Sequence, residues 1–293
     1  MLLHLLHRTT FVYAGPVRDS FNEVRLRPVD DSAQKCHGFD LRISPAGGAV
    51  RDYLDYFGNR VYYFDLAASH NELVIEAESQ VETKSDSQRP AIPAVPSPGR
   101  LGAQLPSQIY SEFLADSHYV PLSVELWRET QDVFVEQGRQ EVWQDALRLG
   151  QHVFKTFKYK PHSTGVHTLA TDALKLRTGV CQDYAHVMLG LCRTVGIPAR
   201  YVSGYFFNRS RRPGEIEASH AWVEVLIPGY GWAAYDPTHD RIADERYVKI
   251  AAGRDYADIR PVSGTYRGAP TRELRVEVMV REPASAVLRT TAD

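Results

Sequence analysis

Cysteine is scarce in this 293-residue chain, which contains only Cys36, Cys181 and Cys192. The number is odd and no two cysteines form a CxxC pair, so we expect neither a disulfide framework nor a structural zinc site. A few unpaired cysteines are typical of a reducing compartment, in which one thiol can be reactive. The chain is therefore predicted to be cytoplasmic and to need no metal or other cofactor.

The chain also lacks an excess of charge and any long apolar run. Its 34 Lys and Arg residues nearly balance 36 Asp and Glu residues, for a formal net charge of −2. Such a chain has no overall electrostatic attraction to nucleic acid or to a membrane, and neither is expected as a partner. No stretch approaches the roughly 20 apolar residues of a membrane-spanning helix. The apolar start, interrupted by His4, His7 and Arg8, predicts a strand rather than a signal peptide.

Residues 1–85 have the pattern of an all-β domain. Hydrophobic residues make up 43% of the chain, which is enough for two domains or one large one. Phe39, Leu41 and Ile43 alternate with polar residues, as in a half-buried strand. Gly15-Pro16 is expected to separate the first two strands. Six short strands without a helical period predict a β-sandwich or barrel.

A proline-rich stretch follows this domain. Residues 86–107 contain five prolines, which exclude a helix or a central strand and predict a linker. Residues 108–281 form the predicted second domain, and residues 282–293 a tail. The predicted helices of the second domain are Pro121–Glu136, Glu141–Phe157, Thr171–Leu176 and one from Cys181 to Val195. Its predicted strands are Arg200–Phe207, His220–Ile227, Trp232–Asp236, Tyr256–Tyr266 and Leu274–Arg281.

Cys181 is predicted to begin a helix directly after a glycine-bearing loop. The N–H groups in the first turn of a helix are unpaired and carry a partial positive charge. Both features stabilise a thiolate, which is the nucleophilic form of cysteine. The same N–H groups can bind the oxyanion that forms when a carbonyl is attacked. Asp183, in the same turn, opposes the thiolate with its own negative charge.

A cysteine nucleophile needs a base, and His220 and Asp236 are placed to supply one. They lie at the start of one predicted strand and at the end of the next, on either side of a Pro-Gly-Tyr-Gly turn. Their midpoint in the sequence is residue 228, so the two should be neighbours across an antiparallel hairpin. The carboxylate would then bind one imidazole nitrogen and leave the other for the thiol. The order of Cys181, His220 and Asp236 predicts a thiol–imidazole–carboxylate relay.

Three motifs resemble those of the transglutaminase-like superfamily. Residues 178–185, TGVCQDYA, resemble its nucleophile motif, residues 219–225, SHAWVEV, its histidine motif, and residues 231–238, GWAAYDPT, its aspartate motif. The strand motif GIPARYVSGY lies between the first two. The N-terminal segments NEVRLRP and DYFGN resemble the β-domain that precedes this core in bacterial members. With that domain, the resemblance covers most of the chain.

The resemblance implies an α+β fold, in which a papain-like core of helices packed on an antiparallel sheet follows the β-domain. It also implies acyl transfer through a cysteine thioester, with Cys181, His220 and Asp236 in the catalytic positions. Members include transglutaminases, cysteine peptidases and amidases, and some have lost catalysis. The expected partners are a peptide or protein substrate and a primary-amine acceptor. No run of acidic residues suggests the calcium sites of the animal enzymes.

Three further residues are predicted to contact the substrate. Gln182 and Tyr159 are candidate donors to the oxyanion, and Trp222, on the same strand face as His220, is a candidate wall of the acyl site. Trp222 also has a simpler interpretation as a core residue. The enzyme hypothesis has an alternative of another class, a binding module that keeps the fold without catalysis. Release of the acyl group to water is favoured slightly over transfer to an amine, because water is always available.

Overall fold

The computed structural model describes residues 1–85, 90–98, 108–209 and 219–283. Within these residues the α-helices are α1 (Val124–Phe134), α2 (Val142–Thr156), α3 (Ala170–Leu176) and α4 (Cys181–Thr194). The first sheet contains β1 (Leu2–Val24), β2 (Gln34–Ser44), β3 (Arg51–Leu54), β4 (Arg60–Leu66), β5 (His70–Thr83), β13 (Val262–Gly268) and β14 (Thr271–Arg281). The second contains β8 (Ala199–Phe206), β9 (His220–Ile227), β10 (Gly231–Asp236), β11 (Arg241–Ile242) and β12 (Tyr247–Gly253). Two short strands, β6 (Lys158–Tyr159) and β7 (Thr178–Gly179), pair in parallel. Among the helices of these residues, none has both the length and the apolar character needed to cross a membrane.

The first sheet is built around β1, a continuous strand of 23 residues. The predicted break at Gly15-Pro16 is wrong, because the strand bends there instead of ending. Its register with β5 shifts between Val12 and Val17, and Pro16 falls inside this irregular stretch, where its missing N–H removes no ladder bond. One half of β1 pairs with β5 and β14, and the other half with β4 and β13. The N-terminal region is therefore a curled all-β structure, in line with the predicted fold class.

The two C-terminal strands return to the first sheet, where both pair with β1. From the sequence they are assigned to the second domain, whereas the structure joins them to the N-terminal one. The predicted strand Tyr256–Tyr266 begins only at Val262, because Asp255 accepts a hydrogen bond from the Ala257 N–H and holds Tyr256 in a turn. β12 is absent from the sequence prediction. The return of the C-terminal strands and the missed strand β12 both involve pairing between segments that are far apart in the chain.

The second sheet carries the helices and has the order β11-β10-β9-β8-β12. α4 packs on β8 and β9, and α1, α2 and α3 pack against α4. Every side chain of α4 from Asp183 to Arg193 is buried, so this helix is the centre of the core. The chain leaves α4 through Gly196, whose φ of 76° favours glycine, and Pro198 follows shortly after. The predicted α+β arrangement of helices on an antiparallel sheet is confirmed.

Two amide side chains of the N-terminal domain close the outer edge of β12. Gln34 accepts a hydrogen bond from the Lys249 N–H and donates one to the Lys249 carbonyl, both at 2.8 Å. Asn59 makes the same pair of bonds with Ala252, at 2.8 and 2.9 Å. An open edge strand exposes unpaired backbone groups, and these amides satisfy them as a neighbouring strand would. An apolar cluster also joins the two sheets, formed by Leu3, Leu5, Val81, Tyr205, Phe207, Val248, Ile250, Val278 and Val280.

Gly204 of β8 should be intolerant of any side chain. A Cβ at this position would overlap the Val248 carbonyl oxygen of β12 and the Trp222 ring. Gly204→Ala is therefore expected to lower the free energy of unfolding by about 3 kcal/mol, because neither the ladder nor the buried ring can move freely. Urea denaturation measures this change. Gly38→Ala is the matched control, since a Cβ there meets no atom within 4 Å; equal losses in the two variants would contradict the prediction.

Candidate active site

The segment before Cys181 places the thiol at the start of α4. Cys181 is the first residue of this helix, as predicted, and it is half-buried. Asp183 accepts hydrogen bonds from the Val180 N–H at 2.7 Å and from the Thr164 hydroxyl at 2.6 Å. Its carboxylate therefore caps the helix, as the acidic residue of a capping box does. Burial raises the pKa of Asp183 even though these hydrogen bonds oppose the effect, so its charge disfavours the thiolate less than the sequence suggests.

An ion pair anchors the same segment to α1. Arg177 ends α3 in the left-handed region, at φ 55°, and donates two hydrogen bonds of 2.6 Å to the carboxylate of Glu129. His152 also hydrogen-bonds to Glu129. The bonds from His152 and Arg177 outweigh burial and lower the pKa of Glu129 to about 2. A charged, bidentate pair of this kind fixes direction as well as distance, and it holds the chain at the residue directly before β7, the strand that leads to Cys181.

His220 and Asp236 meet across the hairpin formed by β9 and β10. Ile227 pairs with Gly231, so the hairpin is centred on Gly229, one residue later than predicted. His220 and Asp236 are therefore diagonal neighbours rather than directly opposed, and diagonal pairs remain within reach of long side chains. The His220 Nε2 atom lies 2.7 Å from the Asp236 Oδ2 atom. The predicted imidazole–carboxylate contact is present in the structure.

The other side of the His220 ring faces Cys181. The thiol lies close enough to the imidazole to raise the pKa of His220. Because Asp236 engages Nε2, the atom left for the sulfur is Nδ1. The His220 side chain is 10% exposed and that of Asp236 is fully buried. A sulfur, an imidazole and a carboxylate are thus in contact in the order that the sequence predicts.

Asp236 has further hydrogen-bond partners that sequence reasoning missed. His239 Nδ1 lies 2.6 Å from Oδ2, and the Tyr247 hydroxyl donates to the same oxygen at 2.7 Å. The Thr238 N–H donates to Oδ1 at 2.8 Å. His239 lies three residues after Asp236 in the aspartate motif, and this spacing could have identified it. Tyr247 begins the unpredicted strand β12, so no local signal places it near Asp236.

The contacts between these side chains shift the pKa values of His220 and Asp236. Burial by itself would lower the pKa of His220, but the hydrogen bonds and negative charges of Asp236 and Cys181 raise it to about 10. Burial would raise the pKa of Asp236, yet the bonds from His220 and His239 hold it well below its usual range. His220 is therefore an imidazolium and Asp236 a carboxylate at neutral pH. The imidazolium thus lies beside both the carboxylate of Asp236 and the sulfur of Cys181.

Comparison with known proteins agrees with the resemblance seen in the motifs. Residues 3–82 match the bacterial transglutaminase-like N-terminal region, and residues 129–237 match the transglutaminase-like superfamily. An uncharacterized protein of Mycobacterium leprae is 35% identical over 286 residues, which span 95% of this chain and 98% of that protein. The chain belongs to the transglutaminase-like superfamily.

Two other relatives of this transglutaminase-like chain carry functional names. A protein-glutamine gamma-glutamyltransferase of Pseudomonas aeruginosa is 34% identical over 125 residues, which are 39% of this chain and 19% of that protein. The crystal structure of a candidate cysteine protease from Cytophaga hutchinsonii superposes with a TM-score of 0.74 at 23% identity, and covers 97% of this chain and 92% of that one. The second likeness shows a shared fold over nearly the whole length.

Gln182, Tyr159 and Trp222, the other predicted residues of this transglutaminase-like site, have different surroundings in the structure. Gln182 donates its side-chain amide to the Val166 carbonyl at 3.0 Å, so the amide is engaged across the neighbouring loop. Tyr159 is 57% exposed and its ring packs against Tyr184 of α4. Trp222 is only 2% exposed, with its ring centroid 6.3 Å from that of His220. The roles of these three side chains toward a substrate stay predictions.

A cavity of about 610 Å³ lies beside the transglutaminase-like core, next to Trp222. Ile92, Trp232 and Tyr247 also line it, as does Glu224, which is bound to Arg200 and Lys249. Cys181, His220 and Asp236 do not line this cavity. Trp222 therefore borders the cavity as well as the His220 ring.

The nitrogen and oxygen atoms of His220, Asp236 and His239 lie within 4.8 Å of one another, close enough to share a metal ion. In this transglutaminase-like chain the same atoms already bond to each other, with both imidazoles directed at one carboxylate oxygen. A metal would have to replace the imidazole protons that point at this oxygen, because a nitrogen binds a metal only in its deprotonated form. We therefore interpret the group as a hydrogen-bond network.

The pairing of His220 with Asp236 should stabilise the fold within a defined pH range. The folded-state pKa of His220 is raised to about 10, so its contribution is complete below pH 6.5 and is lost as the pH rises through about 10. The lowered pKa of Asp236 makes its contribution present above pH 3.8 and lost in stronger acid. Asp236→Asn is expected to cost about 3 kcal/mol at pH 6, because it leaves a buried cation without its partner.

Urea denaturation of both proteins at pH 6 and at pH 10.5 tests this expectation, and the difference between them should shrink at the higher pH. Asp40→Asn is the matched control, since Asp40 pairs with Arg42 at an exposed site and should cost little at either pH. An equal loss from Asp236→Asn at both pH values would show that the pairing does not depend on the charge of His220.

Proposed function

We propose that the protein is a cysteine-dependent enzyme that cleaves a carboxamide or peptide bond through a thioester. The proposal is carried by one observation, the contact of Cys181 with His220 and of His220 with Asp236 at the start of α4. A nucleophile, a proton carrier and a group that orients the carrier are the three parts that covalent acyl transfer needs. The superfamily to which the chain belongs supports the same chemistry.

In the first half of the proposed reaction, the Cys181 sulfur attacks the carbonyl carbon and a C–S bond forms. The negative charge that develops on the carbonyl oxygen is bound by N–H groups in the first turn of α4, those of Cys181 and Gln182, which have no partner within the helix. The C–N bond then breaks as His220 gives its proton to the leaving amine. Asp236 holds the imidazole in place throughout.

In the second half, water or a primary amine attacks the thioester. His220, now neutral, takes a proton from the attacking group and becomes an imidazolium again, and the C–S bond breaks to release the acid or the new amide and restore the Cys181 thiolate. We favour water, because the half-buried sulfur is open to solvent and transfer requires the amine to outcompete water. The proposed substrate is a peptide or protein, the proposed location is the cytoplasm, and neither nucleic acid nor a membrane takes part.

Selective alkylation tests whether Cys181 is a nucleophile. At pH 7, iodoacetamide is expected to modify Cys181 at least about tenfold faster than Cys36 or Cys192, because only Cys181 lies beside an imidazolium. Burial raises the pKa of Cys36 and raises that of Cys192 to about 12. Peptide mapping by mass spectrometry over time measures the three rates. If Cys181 reacts no faster than a cysteine in the unfolded chain, the protein is a binding module rather than an enzyme.

Incubation with a peptide library, with and without methylamine, tests the reaction itself. We expect cleaved or deamidated products that form without the amine, which denote hydrolysis; a mass gain that requires methylamine would denote transfer. Cys181→Ala should reduce either product to background, whereas Cys36→Ala should leave it unchanged, because Cys36 lies in the first sheet. Products that persist in Cys181→Ala would contradict the proposed nucleophile.

A further inference from the structure

One oxygen atom of Asp236 receives three hydrogen bonds. His220 Nε2 lies at 2.7 Å from Oδ2, His239 Nδ1 at 2.6 Å and the Tyr247 hydroxyl at 2.7 Å. Among the described residues, the hydrogen bond to the other oxygen comes from the Thr238 N–H. A buried carboxylate needs donors to stay charged, but here all three side-chain donors act on the one oxygen that faces His220. Their convergence therefore points to a role beyond the relay of three residues.

We propose that Tyr247 and His239 are positioning residues that hold Oδ2 of Asp236 against Nε2 of His220. The proposal rests on the proposed roles of Cys181 and His220. Without the two extra donors, the carboxylate can rotate about its bond to Cβ and Oδ2 moves off the imidazole for part of the time. His220 is then held less firmly as an imidazolium, and the thiolate beside it is less well stabilised.

The two donors come from different parts of the chain and from different kinds of site. Tyr247 is 5% exposed and belongs to β12, which lies at the far edge of the sheet from β11. His239 lies in the turn after β10 and its side chain is 39% exposed. An exposed turn residue adds less to the core than a buried one, so a change at His239 should disturb the packing less than a change at Tyr247.

Phe206 lies among the aromatic rings that surround Asp236. Its ring centroid is 5.0 Å from that of His239, 4.8 Å from that of Tyr247 and 6.0 Å from that of His220. This ring limits the orientations open to both donors, so their hydrogen bonds are directed at Asp236 before any substrate binds. The charged and titratable groups that face the network from the surrounding elements are Cys181, Arg241, Asp244 and Arg246.

The test follows alkylation of Cys181 by iodoacetate from pH 5 to pH 11. Iodoacetate is an anion, so its reaction is faster while His220 is protonated, and the basic limb of the profile reports the loss of that proton. Tyr247→Phe removes one donor and keeps the ring. We expect its basic limb to move down by about one pH unit and its rate at pH 8 to fall, because a mobile carboxylate stabilises the imidazolium less.

His239 offers a pair of variants that separates hydrogen bonding from packing and charge. His239→Ala removes the donor and is expected to lower the basic limb as Tyr247→Phe does. His239→Asn places an amide N–H close to the position of Nδ1 and should restore the wild-type profile, although it cannot carry a charge. A profile of His239→Asn that matches His239→Ala would show that Asp236 responds to the imidazole charge and would overturn the positioning role.

Tyr205→Phe is the matched control. Tyr205 is a buried tyrosine of β8 in the same sheet, and its hydroxyl bonds to His7, away from the site. Its loss should leave the alkylation profile unchanged, with thermal unfolding confirming that each variant is folded. If Tyr247→Phe is not folded, the two His239 variants decide the question. An unmoved or raised basic limb in Tyr247→Phe or His239→Ala overturns the proposal.

This experiment uses no substrate. Its outcome can therefore contradict the positioning role without contradicting the proposed function. If the wild-type chain acts on no peptide but the variants show these shifts, the positioning role stands and the proposed enzyme function is wrong. If the wild-type chain hydrolyses peptides but all variants share one alkylation profile, the proposed enzyme function stands and the positioning role is wrong.

Discussion

The buried negative charge of Asp236 is the constraint on which the site depends. Its side chain is fully buried, and an unpaired carboxylate in such a place would take up a proton instead. Four donors from three parts of the chain keep it charged: His220 from β9, Thr238 and His239 from the turn after β10, and Tyr247 from β12. Because these segments meet only in the folded sheet, the charge that orients His220 is a product of the tertiary fold.

The same constraint gives the N-terminal domain a structural role. β11 and β12 lie at opposite edges of the second sheet, so residues 243–246 must cross the sheet to carry Tyr247 into place. β12 then has an open edge, which Gln34 and Asn59 of the first domain close by bonding to Lys249 and Ala252. The first domain thus supports the strand that begins at Tyr247, and through it the carboxylate of Asp236.

The parts of the site that the sequence predicts are those set by local structure. A helix that begins at Cys181 and a hairpin that joins His220 to Asp236 follow from periodicity and from a turn, and the error of one residue in the hairpin centre keeps the two side chains in contact. Pairing between distant segments leaves no such pattern. This explains why β12 and the return of β13 and β14 to β1 were beyond prediction, and why Tyr247 was missed.

The charge of His220 also bears on which acceptor completes the proposed reaction. His220 begins as an imidazolium, gives its proton to the leaving amine and is neutral when the thioester must be released. Water can then yield a proton to it directly. A lysine-type amine has a pKa near 10.4, so only about one molecule in 10³ is unprotonated and nucleophilic at pH 7. The amine can compete only where the site excludes water, and Cys181 is only half-buried. Hydrolysis is thus the outcome that the charges of the site support.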